Sequence, residues 1–95
     1  MDAANQELPA SLIRFYVRAS GYQDAPGPLI RTCIDLTGTT YTKLAESHGV
    51  SVDTLRNALY RRAPKHEWII ARALGLTPED IWPSRWLNKS SAMHG

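Results

Sequence analysis

Apolar residues recur three and four positions apart through most of this chain, and the runs they form are broken by glycine, proline and threonine. The pattern predicts an all-α fold. Leu8, Leu12 and Tyr16, with Ile13 and Val17 beside them, mark a short N-terminal helix in which Pro9 is tolerable as a first-turn residue. Residues 21–28, GYQDAPGP, concentrate turn formers and read as a linker. Residues 1–28 are therefore taken as an N-terminal helical extension. Its helix has three options: packing on the following domain, pairing with another subunit, or remaining mobile.

From Leu29 to Leu36 the spacing puts Ile30, Cys33 and Ile34 on one face of a helix closed by Thr37 and Gly38. Leu44, Ala45 and His48 share a face of the next helix, which Thr39 or Thr40 can cap, and which places His48 at the helix interface or its rim. Gly49 follows where the chain must bend, because glycine reaches positive φ without a Cβ clash. Ser51 is a good N-cap for a helix over 52–60, with Asp53 in its electropositive first turn. A further helix runs from His66 to Leu74, stopped by Gly75, with Ile69, Ile70, Ala73 and Leu74 inward. Thr77, Pro78, Glu79 and Asp80 start a last short helix that ends near Trp82 and Pro83. Residues 29–86 thus form one helical domain, and residues 87–95 are expected to be a disordered tail.

The segment Tyr41 to Tyr60 carries the functional signal. Two short amphipathic helices hinged at Gly49 make a helix-turn-helix arrangement. In the second, Val52, Leu55, Ala58 and Leu59 lie on one side, Asp53, Asn57 and Tyr60 on the other, and Thr54, Arg56 and Arg61 flank the polar side. Such a helix buries its apolar side and presents its polar side to base edges in the major groove of DNA. Asn57 can donate to and accept from adenine together, Arg56 can reach guanine or phosphate, and Thr54 a thymine methyl or phosphate. Asp53 can accept from cytosine, although a carboxylate near phosphates is repelled and its place suits the helix dipole. Tyr60, Arg61, Arg62 and Lys65 lie at or past the helix end, where long side chains can span to phosphates without reading sequence.

Charge sharpens this picture. The net charge of the 95 residues is only +2, but Arg56, Arg61, Arg62, Lys65 and Arg72 stand against the single acid Glu67, a local +4 just after the reading helix. The lone cysteine, Cys33, excludes an intramolecular disulfide and is expected in the core. No apolar run is long enough to span a bilayer, and Arg14 and Arg18 interrupt the N-terminal apolar stretch. We therefore expect a cytoplasmic, nucleoid-associated protein with no membrane partner. His48, His66 and His94 have no metal-binding spacing with Cys33, and no nucleophile–base pair or phosphate-cradling glycine loop is present. No enzyme activity, cofactor or small-molecule substrate is expected. Trp68, Trp82 and Trp86 are read as core closures, with Ile81-Trp82-Pro83 as a packing clasp. A helical bundle that binds another protein is the competing functional class.

Thr54-Leu55-Arg56-Asn57-Ala58-Leu59, the Pro64-Lys65 step, Ile69 to Gly75 as IIARALG, and Thr77 to Arg85 as TPEDIWPSR occur here in order. In these motifs the chain resembles the Ner family of small regulators, which includes the repressors of transposable phages and the bacterial Ner-like proteins called sugar fermentation stimulation protein B. The resemblance runs from about Leu29 to Trp86. It implies a five-helix, lambda-repressor-like domain that binds double-stranded operator DNA and controls transcription, with repression expected over activation. It also implies DNA-side positions at Thr54, Asn57, Arg61, Arg62 and Lys65, and at Arg85 after the last helix. Asp53 departs from the neutral residue more usual in the family, and residues 31–40 are less basic than usual. A single domain offers few base contacts, so two copies on adjacent half-sites are expected.

Overall fold

A computed structural model describes residues 4–86 of the chain, and every regular element in that span is a helix. In chain order these are α1 (Ala4–Ala19), α2 (Gly27–Leu36), α3 (Tyr41–Ser47), α4 (Val52–Asn57), α5 (Pro64–Ala73) and α6 (Pro78–Ile81). A helical turn over 83–86 follows α6. The tail predicted over 87–95 lies outside the described residues.

One apolar cluster joins all six helices. Ala10, Ile13 and Val17 of α1 meet Ile30, Cys33 and Ile34 of α2, and the cluster continues through Leu44, Ala45, Leu55, Ile70, Leu74, Ile81 and Trp82. Of the three options for the N-terminal helix, the structure takes the first: α1 packs on α2 and α6. The boundary read at residue 28 therefore marks no break in the core. Cys33 is buried as expected, and burial pushes its thiol pKa up, which keeps it protonated.

The segment read as a linker is a tied strap. Gly21 and Tyr22 turn the chain at φ +79° and +65°, after which the Ala25 N–H donates to the Ile81 carbonyl at 2.9 Å. The Asp24 carboxylate accepts from the Ser84 N–H at 2.9 Å and from the Ser84 hydroxyl at 2.6 Å. These bonds fasten residues 24–25 to the far end of the chain. The strap is also shorter than predicted, because α2 starts at Gly27 and places Pro28 in its first turn, where the missing N–H is no loss.

Two side chains lie elsewhere than their spacing suggested. His48 is exposed, its Nδ1 3.1 Å from the Leu44 carbonyl oxygen and from Ser47 Oγ, because it forms the C-cap of α3. Trp68 is 40% exposed on the outer face of α5, with the Arg72 guanidinium 5.8 Å from its ring centroid one turn on. The Ile81-Trp82-Pro83 clasp is buried as predicted.

Candidate nucleic-acid interface

The turn between α3 and α4 forms from local chemistry. The Thr40 hydroxyl accepts from the Lys43 N–H at 3.1 Å and thereby caps α3, deciding between the two threonines. Gly49 takes φ +69°, the left-handed conformation that a side chain would strain. Ser51 then caps α4: its Oγ accepts from the Thr54 N–H at 3.1 Å while its hydroxyl donates to Thr54 Oγ1 at 2.7 Å. Leu55 and Ala58 are fully buried beneath α4, and burial of a leucine of this kind stabilises by about 1.5–3 kcal/mol. With its underside held in the core, α4 cannot roll, so its outer face is defined.

That outer face carries the predicted readers. Asp53, Thr54, Arg56 and Asn57 are all exposed on α4, with Leu55 inward between them. The helix is shorter than the 52–60 predicted. It ends at Asn57, and the N–H groups of Ala58, Leu59 and Tyr60 donate to Leu55, Arg56 and Asn57 in a tightened final turn. Tyr60, 79% exposed, and Arg61, Arg62 and Lys65 therefore leave from the turn and from the start of α5, past the end of α4.

This turn carries a contact that sequence reasoning missed. Arg85 reaches back from the turn over 83–86 and donates to the carbonyls of Ala58 at 2.6 Å, Leu59 at 3.1 Å and Arg61 at 3.1 Å. A guanidinium suits this place, because the carbonyls at a helix C-terminus carry partial negative charge. The same guanidinium donates to the Glu67 carboxylate at 3.0 Å and lies 5.0 Å from the Trp82 ring centroid. Arg85 thus faces inward and holds the end of α4, a different place from the phosphate contact that the resemblance implied.

Glu67 is the hub of this cluster. It is fully buried, and its carboxylate accepts from the Ala63 N–H at 2.7 Å, from Arg85, and from Trp86 Nε1 at 2.8 Å. A buried carboxylate needs such partners, since an unpaired charge in a core is strongly destabilising. Arg62 is drawn to the same side: it lies 4.0 Å from Glu67, donates to the Arg85 carbonyl at 3.1 Å and stacks 4.7 Å from the Trp86 ring centroid. A signal for Glu67 existed in the chain. Glu67, Ile70, Ala71 and Leu74 stand at i, i+3, i+4 and i+7, and all four are buried, so the inward stripe of α5 centres on Ala71 and includes the acid; Ala73, predicted inward, is only half-buried.

The local excess of positive charge is consequently divided. Glu67 neutralises Arg85 and partly engages Arg62, while Arg56, Arg61 and Lys65 keep exposed positions around α4. Among the described residues no helix is long and apolar enough to cross a membrane.

Comparison with known proteins agrees with this geometry. The chain is 59% identical over 44 residues to a negative regulator of transcription from Escherichia phage D108, an alignment covering 46% of this chain and 60% of that protein. It is 51% identical over 49 residues to sugar fermentation stimulation protein B of Escherichia coli K12, covering 52% of this chain and 53% of the relative. It is 36% identical over 53 residues to the Mu-like prophage FluMu DNA-binding protein Ner of Haemophilus influenzae, covering 56% and 60% respectively. The chain thus spans somewhat more than half the length of the curated relatives it matches. A family model described as winged helix-turn-helix DNA-binding matches residues 30–95, although no strand of a wing occurs among the described residues. With most of its length matched, including α3, the turn at Gly49 and α4, the chain belongs to this winged helix-turn-helix DNA-binding family.

Proposed function

We propose that the chain is a transcriptional repressor that binds operator DNA by seating α4 in the major groove. The observation that carries this reading is the two-sidedness of α4: Leu55 sealed beneath, Asp53, Thr54, Arg56 and Asn57 open above. Asn57 and Arg56 are the base readers, with Thr54 and Asp53 at the helix start, and Tyr60, Arg61 and Lys65 grip phosphates. Arg62 contributes charge from a partly engaged position. The names of the phage relatives, negative regulators of transcription, support repression over activation.

The assignment of roles separates in a gel-shift titration. Asn57→Ala should narrow the gap between a selected operator and random duplex by about 1–3 kcal/mol, whereas Arg61→Ala should weaken all duplexes alike and lower the salt slope by about one. Equal behaviour of both variants and the parent would remove the reading surface from α4. Because one domain presents few bases, we place two copies on half-sites about one helical turn apart. Light scattering that finds one copy per operator would refute that stoichiometry.

A second reading is favoured by one observation. On α1, Leu8, Leu12, Phe15 and Tyr16 are 58%, 38%, 72% and 36% exposed, an apolar stripe facing away from the core and suited to a protein partner. Salt distinguishes the two: duplex affinity falls steeply as salt is added, and an apolar protein contact hardly changes.

A further inference from the structure

The outer face of α1 has the spacing of a helix-pairing seam. Leu8, Leu12, Phe15 and Ala19 follow one another at intervals of four, three and four residues, a repeat that keeps all of them within about 60° of arc on one side of the helix. The opposite side is already used, since Ala10, Ile13 and Val17 pack into the core. All four seam residues are exposed, Phe15 most of all, and Tyr16 flanks them. With Tyr16 they open on the order of 400 Å² of apolar surface, the size of patch that marks an interaction site. The remaining chain outside the described residues, MDA before and LNKSSAMHG after, has only Met1, Leu87 and Met93 as large apolar residues, too dispersed to match this stripe. The seam also precedes residues 30–95, which the family model matches, so it is separate from the helix-turn-helix.

We propose that this stripe binds the same stripe of a second copy, with the two α1 helices antiparallel about a two-fold axis level with residues 13 and 14. That register sets Leu12 against the partner's Phe15 at the centre and Leu8 against the partner's Ala19 at each end, so a large side chain meets a small one where the seam closes. Charge fixes the direction. Glu7 in the first turn and Arg18 in the last turn project about 20° apart around the helix axis, on the same flank of the seam. Antiparallel helices bring like flanks together and set Glu7 about 3 Å along the axis from the partner's Arg18, whereas parallel helices would set that flank against Tyr16. Among the described residues neither Glu7 nor Arg18 forms an ion pair within one copy. Arg14, whose two copies approach near the axis, borders a cleft with Glu79 and Asp80 of α6, and these acids offset the repulsion. The pairing does not rest on the reading of α4: α1 packs on α2 and α6, and its stripe is no part of the face that carries Asn57.

Two such stripes bury about 800 Å², less than the roughly 1,200 Å² of stable complexes, so the dimer should be weak, with a dissociation constant on the order of 100 μM. Sedimentation equilibrium of the full chain without DNA should show this association, and a chain that stays monomeric at about 1 mM overturns the proposal. Phe15→Glu should weaken dimerisation at least about 10-fold, because each interface loses two aromatic contacts and gains two buried carboxylates. Its melting temperature in dilute solution should stay within a few degrees of the parent's, since Phe15 is 72% exposed in the single copy. A Phe15→Glu chain that dimerises as the parent does overturns the seam.

Orientation is read by disulfide trapping, with Cys33 buried and out of reach. Mixed Leu8→Cys and Ala19→Cys chains should form a disulfide-linked heterodimer, identified by mass spectrometry. Either variant alone should stay unlinked, because the antiparallel register holds two copies of residue 8 about 16 Å apart along the axis. Linkage of each variant to itself overturns the antiparallel arrangement. None of these outcomes bears on whether α4 binds DNA.

Discussion

The two ends of α4 are held by opposite kinds of chemistry. At its start the Ser51 hydroxyl caps the Thr54 N–H, a bond between residues three apart that needs nothing from the rest of the molecule. At its end the carbonyls of Ala58, Leu59 and Arg61 are held by Arg85, which comes from 24 to 27 residues further along and is itself anchored on Glu67. The first lock forms with the helix, whereas the second forms only when α5, α6 and the turn over 83–86 have all docked. Helix α4 is therefore begun by local sequence and positioned by the tertiary fold.

The largest expected effect breaks the distant lock at its hub. Glu67→Ala removes an acceptor from Ala63, Arg85 and Trp86 and leaves a mostly buried guanidinium without its counter-charge. Loss of a buried partner of this kind costs about 3–5 kcal/mol, so circular dichroism should record a fall in melting temperature of more than about 10 °C. A change of only a degree or two would show that the cluster does not hold the domain together.

Arg85→Ala should come next, at roughly 2–3 kcal/mol, because it leaves Glu67 with the Ala63 and Trp86 donors and releases the carbonyls at the end of α4 toward water. Its signature is regional. Amide exchange at residues 58–61 should quicken far more than at Thr54, and uniform quickening along α4 would deny the separation of the two ends. Ser51→Ala is the smallest of the three, about 1 kcal/mol, with faster exchange at Thr54 and little change at residues 58–61. Equal effects of Ser51→Ala and Arg85→Ala on melting would erase the contrast.

The same division runs through the whole molecule. The cap at Ser51, a threonine cap at residue 39 or 40, the positive φ of Gly49, the buried Leu55 and the exposed Asn57 were legible because each depends on residues within a turn or two. The end of α4 at Asn57 was not, since the apolar spacing continues through Leu59 and the carbonyls beyond Asn57 are bonded by Arg85 from a distant part of the chain. Glu67 was read only as a charge: its spacing with Ile70, Ala71 and Leu74 held a signal of burial, but its role as an acceptor depends on donors brought in from Ala63, Arg85 and Trp86. Likewise the strap at residues 24–25 has the composition of a linker, and its order comes from Ser84 and Ile81 across the fold.

By itself, then, the order of residues determined the helices, the starting points of α4 and α6 and the polar face of α4, because helix periodicity and capping act over three or four positions. Only the folded molecule decided where α4 stops, that α1 joins the core, and which arginines face outward. Those outcomes depend on groups far apart in the chain, whose charge and hydrogen-bonding demands are matched only after the helices have packed.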